Sequence, residues 1–446
     1  MTEQLKIVSL IFFLLFLFVF FILYPLFTFK PQYNDEIYHH KFNRKCDLKD
    51  WNNVTTYKIP RHQELRKLAN RRITVSEGLT DGELRLLSAY LYKDEIVVTT
   101  TRQRAEEVGE SIYCRYYDCN RVEIPNSAFK SFFFPISAVH CARRAGAHFI
   151  SLSFELAHEA PQPIPFVKRL DDEPPHNIGI CVGQIYGDDK KWMDIVEFVE
   201  HYKIIGASMF YFTIFKMDEY SRALFDEYVR TGYAEVSNVH TEYTDGYFYL
   251  HMIQLQDCFF RARHHSKWML NIDHDEYLVP TKNNFLDYMD SLSVHFAELI
   301  FATKGLPKSE SSLQVYHDSK EVRDNLKMLK YNTITHNLYL NSKVMIRPDK
   351  MDAILVHWAY GLSPGYRTFT IPKSIAVINH YRRGDGLLGG NVVHSSKVEA
   401  INKEHIDLLQ RNVEKTVKYV FEKHNITCNS LPEDWKRSTI HILKTC

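Results

Sequence analysis

The chemistry of this 446-residue chain is concentrated in one stretch, Leu270–Pro280, which reads LNIDHDEYLVP. Trp268, Met269, Leu270 and Ile272 form a short apolar run of the kind that makes a buried strand. Asp273, His274, Asp275 and Glu276 interrupt it. Tyr277, Leu278 and Val279 then return to apolar character, and Pro280 ends the element. A strand that finishes in carboxylates places charge at its carboxyl end, where an open α/β sheet binds its ligands. Asp273 and Asp275 are two positions apart, so along an extended chain their side chains point the same way. Converging carboxylates repel each other unless a cation lies between them. Oxygen ligands select Mg²⁺ or Mn²⁺. An ion held by so few protein groups takes its other ligands from water and a substrate diphosphate. The bland reading of an Asp-x-Asp triplet is a solvated turn. The buried-type strand before it and the apolar return after it favour the metal.

The elements that must position this stretch show a βαβ rhythm. Ile178–Val182 reads as a buried strand. Trp192, Ile195, Val196, Val199 and Tyr202 have helical spacing, and Gly206 is a helix stop. Met209–Ile214 is a second strand, Tyr220–Val229 a second helix ended near Gly232, and Ala234–Val236 a third strand. Tyr247–Arg263 is a third helix, leading into the strand that reaches Asp273. Alternation of this kind builds a largely parallel sheet. Downstream, Phe285–Leu292 reads as a helix, Leu299–Phe301 and Leu313–Tyr316 as strands, and Lys343–Arg347 and Ala353–Trp358 as segments before a loop with Gly361, Pro364 and Gly365. Ile375–Ile378 is a strand that leads into His380-Tyr381-Arg382-Arg383, and Ala400–His424 is a helical region. Upstream, Leu84–Tyr92, Glu95–Thr101, Ile112–Val122 and His148–Phe154 make a small β-rich unit. A cluster of prolines from Pro161 to Pro175 closes it.

Lys plus Arg is 55 and Asp plus Glu is 54, so no global basic field calls for nucleic acid. From Ile7 to Phe29 the chain carries no charge, which is long enough to span a bilayer at about 1.5 Å per residue. It is longer than a signal-peptide core and lacks a small-residue cleavage site. We therefore read residues 1–6 as a short tail, 7–29 as a transmembrane signal anchor, 30–75 as a stem, 76–170 as the β-rich unit, 171–425 as the main α/β domain and 426–446 as a tail. The flanking charges, Lys6 on one side and Lys30, Lys41, Arg44 and Lys45 on the other, argue against a cytoplasmic tail of six residues. Asn53-Val54-Thr55 and Asn425-Ile426-Thr427 are glycosylation sequons. Cys46, Cys114, Cys119, Cys141, Cys181, Cys258, Cys428 and Cys446 are an even set, as disulfides in an oxidising compartment require. Zinc at Cys114, Cys119 and Cys141 is the alternative, though the spacing fits no standard zinc pattern. The pairing is open.

An ordered set of motifs resembles glycosyltransferase family 92. They are Ile180-Cys181-Val182 with Tyr186-Gly187, the helix to Tyr202 and Gly206, NIDHDEYLVP, Lys343-Val344-Met345-Ile346-Arg347-Pro348, Val356-His357, and His380-Tyr381-Arg382. The resemblance covers roughly Leu84 to Arg383. It implies a GT-A fold, a nucleotide-sugar-binding α/β domain. It also implies an inverting, metal-dependent transfer of galactose from UDP-galactose to a glycan acceptor such as fucose on an N-glycan core, in a type II Golgi membrane orientation. Asp275 is then the foremost metal ligand, and Asp273 binds metal or ribose. His380 is a third ligand, with His357 competing for the role and a packed histidine as its bland reading. Lys343 or Arg382 would bind phosphate as a cation, against the alternative of surface salt bridges.

An inverting transfer needs a carboxylate general base, and here the chain departs from the family. Gln314, in Ser312-Leu313-Gln314-Val315-Tyr316, stands where family members carry a glutamate, and glutamine cannot accept the proton. Glu310 nearby is a substitute. The glycine- and serine-rich loop expected just before is altered to Ala302-Thr303-Lys304-Gly305. Two classes therefore remain: an active transferase with Mn²⁺ or Mg²⁺, and a membrane-anchored glycan- or nucleotide-sugar-binding protein of the same fold without turnover. A glycoside hydrolase, whose two acids stand about 5 to 9.5 Å apart, is more remote.

Overall fold

The computed structural model describes residues 59, 61–70, 83–102, 107–239, 250–281, 285–331, 333–334, 342–383, 396–397 and 402–423. The expected anchor at 7–29, its tail, most of the stem, both sequons and the 426–446 tail lie outside them. Among the described residues no helix is long and apolar enough to cross a membrane. The chain divides into Met1–Leu48 and Lys49–Cys446, and every described residue belongs to the second unit.

After helix α1 (His62–Ala69) come seven strands: β1 (Leu86–Leu91), β2 (Ile96–Thr100), β3 (Ser111–Tyr117), β4 (Phe129–Phe132), β5 (Ala138–Cys141), β6 (Phe149–Ser153) and β7 (Ile164–Lys168). They form one sheet in the order β4-β3-β6-β7-β1-β2-β5. A disulfide joins Cys114 to Cys141. Cys119 is also disulfide-bonded, so the zinc alternative at these three cysteines is overturned.

The α/β part runs β8 (His176–Val182), α2 (Trp192–Ile205), β9 (Ala207–Ile214), α3 (Glu219–Arg230), β10 (Ala234–Asn238), α4 (His251–Ala262) and β11 (Ser266–Ile272). Each expected strand and helix forms close to its sequence bounds. Gly206 caps α2 at φ 105°, a left-handed conformation open to glycine. Residues 240–249, where the third helix was expected to begin, lie outside the described set.

Then come β12 (Glu276–Pro280), α5 (Phe285–Ser291), β13 (Phe296–Phe301), β14 (Thr303–Lys308), α6 (Ser319–Asp324), α7 (Lys327–Lys330), β15 (Thr333–Ile334), β16 (Lys343–Ile346), β17 (Met351–Leu355), β18 (Trp358–Leu362), β19 (Arg367–Thr370), β20 (Ala376–Arg383), β21 (Ser396–Lys397) and α8 (Lys403–Lys418). Three expectations are corrected here. Leu313–Tyr316 is not a strand; the strand in that region is β14, which pairs in parallel with β20 and absorbs most of the segment read as an altered loop. Gly361 lies inside a β17–β18 hairpin rather than in a loop. His380, Tyr381 and Arg382 continue β20 instead of following it. In each case a partner strand, which local pattern does not register, supplies the ladder.

The central sheet has the order β10-β9-β8-β11-β16-β13-β19. β10, β9, β8 and β11 are mutually parallel, and β16 runs antiparallel between β11 and β13. Both faces are covered. Ile178, Ile180, Val182, Phe210, Phe212, Leu270 and Ile272 pack into the core with α2, α3 and α8. The alternate residues Cys181, Met209, Tyr211 and Met269 face the opposite core, built from α1, α4 and residues of the first sheet such as Tyr90, Tyr92 and Phe134. The period of two explains the near-continuous apolar runs: strands buried on both sides have no solvent face. Cys181 on β8 is joined to Cys258 on α4 by a second disulfide.

The order of construction places a crevice. The chain goes from β8 outward through β9 to β10, then crosses back to lay β11 on the other side of β8. The strand order reverses between β8 and β11, and a doubly wound sheet binds ligands outside the carboxyl ends of its strands at such a point. Gly183 leaves β8 there, and Asp273 leaves β11 there.

Candidate active site

Asp273 to Glu276 is a turn, not extended chain: the Glu276 N–H donates to the Asp273 carbonyl at 3.0 Å. The expected alignment of the two aspartates by strand alternation is therefore corrected. β11 ends at Ile272, and β12 begins at Glu276 in a different sheet, ordered β12-β20-β14, so the chain must change direction between them. The turn sends the two carboxylates to different partners.

Asp273 accepts from the Lys343 ammonium at 2.7 Å, and Lys343 also reaches Glu276 at 2.9 Å. Burial pushes the Asp273 carboxyl up, but the charge of Lys343 outweighs it and holds the group below the usual carboxylate range. Burial likewise disfavours the Lys343 cation, yet Asp273 and Glu276 raise it above an ordinary lysine. Lys343 is 5% exposed, so it is a built-in counter-ion. Removing one member of such a buried ion pair leaves an uncompensated charge.

Asp275 turns to His380. Its Oδ2 lies 3.4 Å from Nε2 of the ring, and the ring's Nδ1 lies 3.4 Å from Glu276 Oε1. His380 is raised above its ordinary value; burial works against this, and hydrogen bonding to Asp275 with the charges of Asp275 and Glu276 prevails. Burial raises Asp275, and the hydrogen bond and charge of His380 bring it below its usual value. For Glu276 burial wins over Lys343, and its carboxyl lies above the usual range.

Around this centre stand four more groups. His357 donates from Nδ1 to the Ser342 carbonyl at 3.0 Å. Burial lowers its pKa, as does the nearby Lys343. His251, at the start of α4, is lowered chiefly by burial and feels Asp273 and Lys343. The Tyr186 phenol is raised first by burial and then by Asp273 and Asp275, against the pull of Arg382. Arg382 is exposed on β20, two residues beyond His380 and therefore on the same face of the strand.

The sequence-predicted residues Asp273, Asp275, His380, Lys343, His357 and Arg382 thus come together. Glu310 and Gln314 do not join them. Glu310 is exposed and pairs with Lys330 at 2.6 Å. Gln314 is exposed, and its amide folds back to donate to the Ser312 carbonyl at 3.1 Å. The neighbouring Ser312 reaches inward to Asp194 at 2.6 Å. Asp194 also faces Lys327 at 3.1 Å and Lys308 at 3.4 Å. Burial raises its carboxyl, and the two lysines with His274 more than reverse this.

Sequence reasoning passed over Gly183, Glu276 and His251. Gly183 carries no signal in a single sequence; its reason is that a Cβ there would lie 1.9 Å from Asp273 Oδ1. Glu276 was visible beside Asp275, but only the β12–β20 pairing shows that it is 2% exposed and faces His380.

Two members of the donor set suit a divalent ion. Asp275 Oδ2 and His380 Nε2 are 3.4 Å apart, close to the ~3 Å between adjacent ligands of an octahedral ion with bonds of about 2.1 Å. That pair fits. Asp273 Oδ2 is occupied by Lys343 and Oδ1 lies against Gly183, so Asp273 fits ribose or an indirect role better than the metal role also expected of it. Among the described residues no group of three or more His, Cys, Asp and Glu is disposed to hold an ion.

A family model described as Glycosyltransferase family 92 matches residues 176–417, more than half of the chain. The matched region runs from the first residue of β8 to the last-but-one residue of α8 and contains every group of the site. No curated protein matches the chain.

Proposed function

The chain belongs to glycosyltransferase family 92, and on that premise we propose that it transfers galactose from UDP-galactose to a glycan acceptor, with inversion and with Mn²⁺ or Mg²⁺. The proposal extends to fucose on an N-glycan core as the acceptor sugar and to a Golgi membrane protein anchored through residues 7–29, with the catalytic part in the lumen. The observation that carries it is the Asp275–His380 pair at the carboxyl end of β11, beside the switch point of the sheet.

Asp275 and His380 would hold the ion, which when bound supplies Lewis-acid stabilisation to the departing diphosphate. Asp273, fixed by Lys343 and Gly183, presents its carboxylate to the ribose hydroxyls. Arg382, exposed on the same face as His380, offers a guanidinium to the phosphates. Lys343 keeps Asp273 ionised and so contributes to donor binding from behind the carboxylate rather than as an exposed phosphate cation. Tyr186, whose phenol feels the charges of Asp273, Asp275 and Arg382, stands beside these groups.

A second reading has its own support. The residue at the base position is Gln314, and both it and Glu310 turn outward. A protein that binds the nucleotide sugar or glycan without turnover accounts for that.

The test is transfer by the full chain from UDP-galactose to fucosylated glycans, with Mn²⁺ and with EDTA, beside Asp275→Ala. The expected result is chelator-sensitive transfer and loss of donor affinity in Asp275→Ala without loss of fold. Donor affinity unchanged by Asp275→Ala in Mn²⁺ would overturn the site assignment. Metal-dependent binding with no transfer would favour the second reading.

A further inference from the structure

Glu276 is the one carboxylate of the cluster with almost no contact with solvent, at 2% exposed. A buried carboxylate must be satisfied on both oxygens. Its Oε2 accepts from the Asp273 N–H at 3.0 Å and from Lys343 at 2.9 Å. Lys343 is already shared with Asp273, so one ammonium serves two carboxylates and leaves the second oxygen to another donor. The group facing that oxygen is the His380 ring, whose Nδ1 lies 3.4 Å from Glu276 Oε1. The contact follows from the ladder: Glu276 and His380 are directly opposite in the antiparallel β12–β20 pair, so their side chains rise on one face. A slip of one residue would put Tyr277 there and send the carboxylate to the far side.

From this geometry we infer that Glu276 is a positioning residue that holds the Nδ1 edge of His380 and so presents Nε2 toward Asp275 and a shared divalent ion. The inference rests on the metal-dependent reading above. It adds a residue which that reading does not require. Histidines that ligate metals donate their other ring N–H to a carboxylate or carbonyl, which fixes the ring and raises its basicity; loss of that partner weakens metal affinity about 10- to 100-fold. Glu276 does not touch substrate or ion. It acts through the ring.

The test measures Mn²⁺ affinity of the full chain in the presence of UDP, from the electron paramagnetic resonance signal of free Mn²⁺. Four proteins are compared: wild type, Glu276→Gln, His380→Ala and the double variant. Glu276→Gln is expected to weaken Mn²⁺ about 10- to 100-fold, and in the His380→Ala background the same change is expected to cost nothing further. Additive losses would show that Glu276 acts on Lys343 or on folding instead, and would overturn the inference, as would full affinity in Glu276→Gln. Wild type that binds no Mn²⁺ with UDP would overturn the metal-dependent reading itself, an outcome distinct from a failure confined to the variants. If Glu276→Gln does not fold, as judged by thermal melting, Glu276→Asp is measured in its place. It keeps the Lys343 charge pair and draws the carboxylate back from Nδ1 by one methylene. A several-fold loss that vanishes in the His380→Ala background is expected, and additivity overturns the inference there too.

Discussion

Asp273 illustrates how a neighbour with no side chain can define the space open to a carboxylate. Gly183 donates its N–H to the Ile272 carbonyl at 2.8 Å, which draws the end of β8 against the end of β11. The Asp273 carboxylate occupies the space a Cβ on Gly183 would take, at 1.9 Å from Oδ1 and 3.2 Å from the backbone Cα. The second contact is to main chain, so a flexible tip cannot simply swing aside. Gly183→Ala is therefore expected to push Asp273 off Lys343 and leave a buried ammonium with one partner fewer. UDP-galactose affinity, read by calorimetry, should fall about tenfold or more, the cost of one disturbed charge-assisted contact. Retention of wild-type affinity would mean that Asp273 is not part of the donor site.

The β17–β18 hairpin is the element that brings the acid strand its outer neighbours. Its turn, Val356-His357, is tied to β11 by the Asn271 side chain, which donates to the Val356 carbonyl at 3.3 Å. His357 consequently sits within electrostatic reach of Lys343 and Asp273. Trp358, the next residue, is 50% exposed, with its ring 6.4 Å from that of His357. A half-bare indole beside the crevice offers the flat apolar face on which the C–H face of a sugar packs. Trp358→Ala is expected to raise KM for the glycan acceptor about 3- to 10-fold, as loss of one aromatic contact implies, with KM for UDP-galactose unchanged. Trp358→Phe should restore most of it. Steady-state kinetics with each substrate varied separates these outcomes, and an effect on the donor alone would remove Trp358 from the acceptor side.

At the scale of the whole molecule, one buried and two partly buried histidines link stability to pH. His201 on α2 and His405 on α8 meet with Nδ1 and Nε2 2.9 Å apart, and the other His201 nitrogen faces the Leu278 carbonyl at 2.9 Å. A carbonyl only accepts, so His201 donates from Nε2, keeps a bare Nδ1, and receives the Nε2–H of His405. Burial holds His201 well below the ordinary value of 6.5, with His405 adding to it, and burial lowers His405 too. His265 is pushed down to about 3, first by burial and then by Arg169, against Glu235. Below pH 6.5 the unfolded chain takes up protons at these sites while the folded chain excludes them. Stability is therefore full above that pH and falls as pH drops through it. His380, which is raised, works in the opposite sense and is a single group against three. Each excluded proton costs about 1.4 kcal/mol per pH unit. Calorimetry should give a lower Tm at pH 5.5 than at pH 7.5; a flat or inverted dependence would show that these imidazoles are protonated inside the fold.

By itself the sequence determined what is local or periodic. The run from Trp268 to Ile272 is a strand because its residues are apolar on both faces, and the spacing from Trp192 to Tyr202 with Gly206 behind it makes a capped helix. The alternation of such units dictates a largely parallel sheet, and the ordered motifs named the family. The residues of the crevice, from Asp273 to Arg382, were also legible, because chemistry-bearing side chains stand out where a buried run breaks. Tertiary structure decided how those residues are partnered. It divided Asp273 from Asp275 by a turn, since β11 and β12 belong to different sheets. It spent Lys343 on Asp273 and Glu276, and it placed Glu276 against His380 through a strand pairing that spans about a hundred residues. It also turned Glu310 and Gln314 outward, and it made a strand of Thr303–Lys308 and none of Leu313–Tyr316. Hydrogen-bond ladders and ion pairs join residues far apart in the chain. Their energy depends on which strand lies alongside, and no window of a single sequence contains that neighbour.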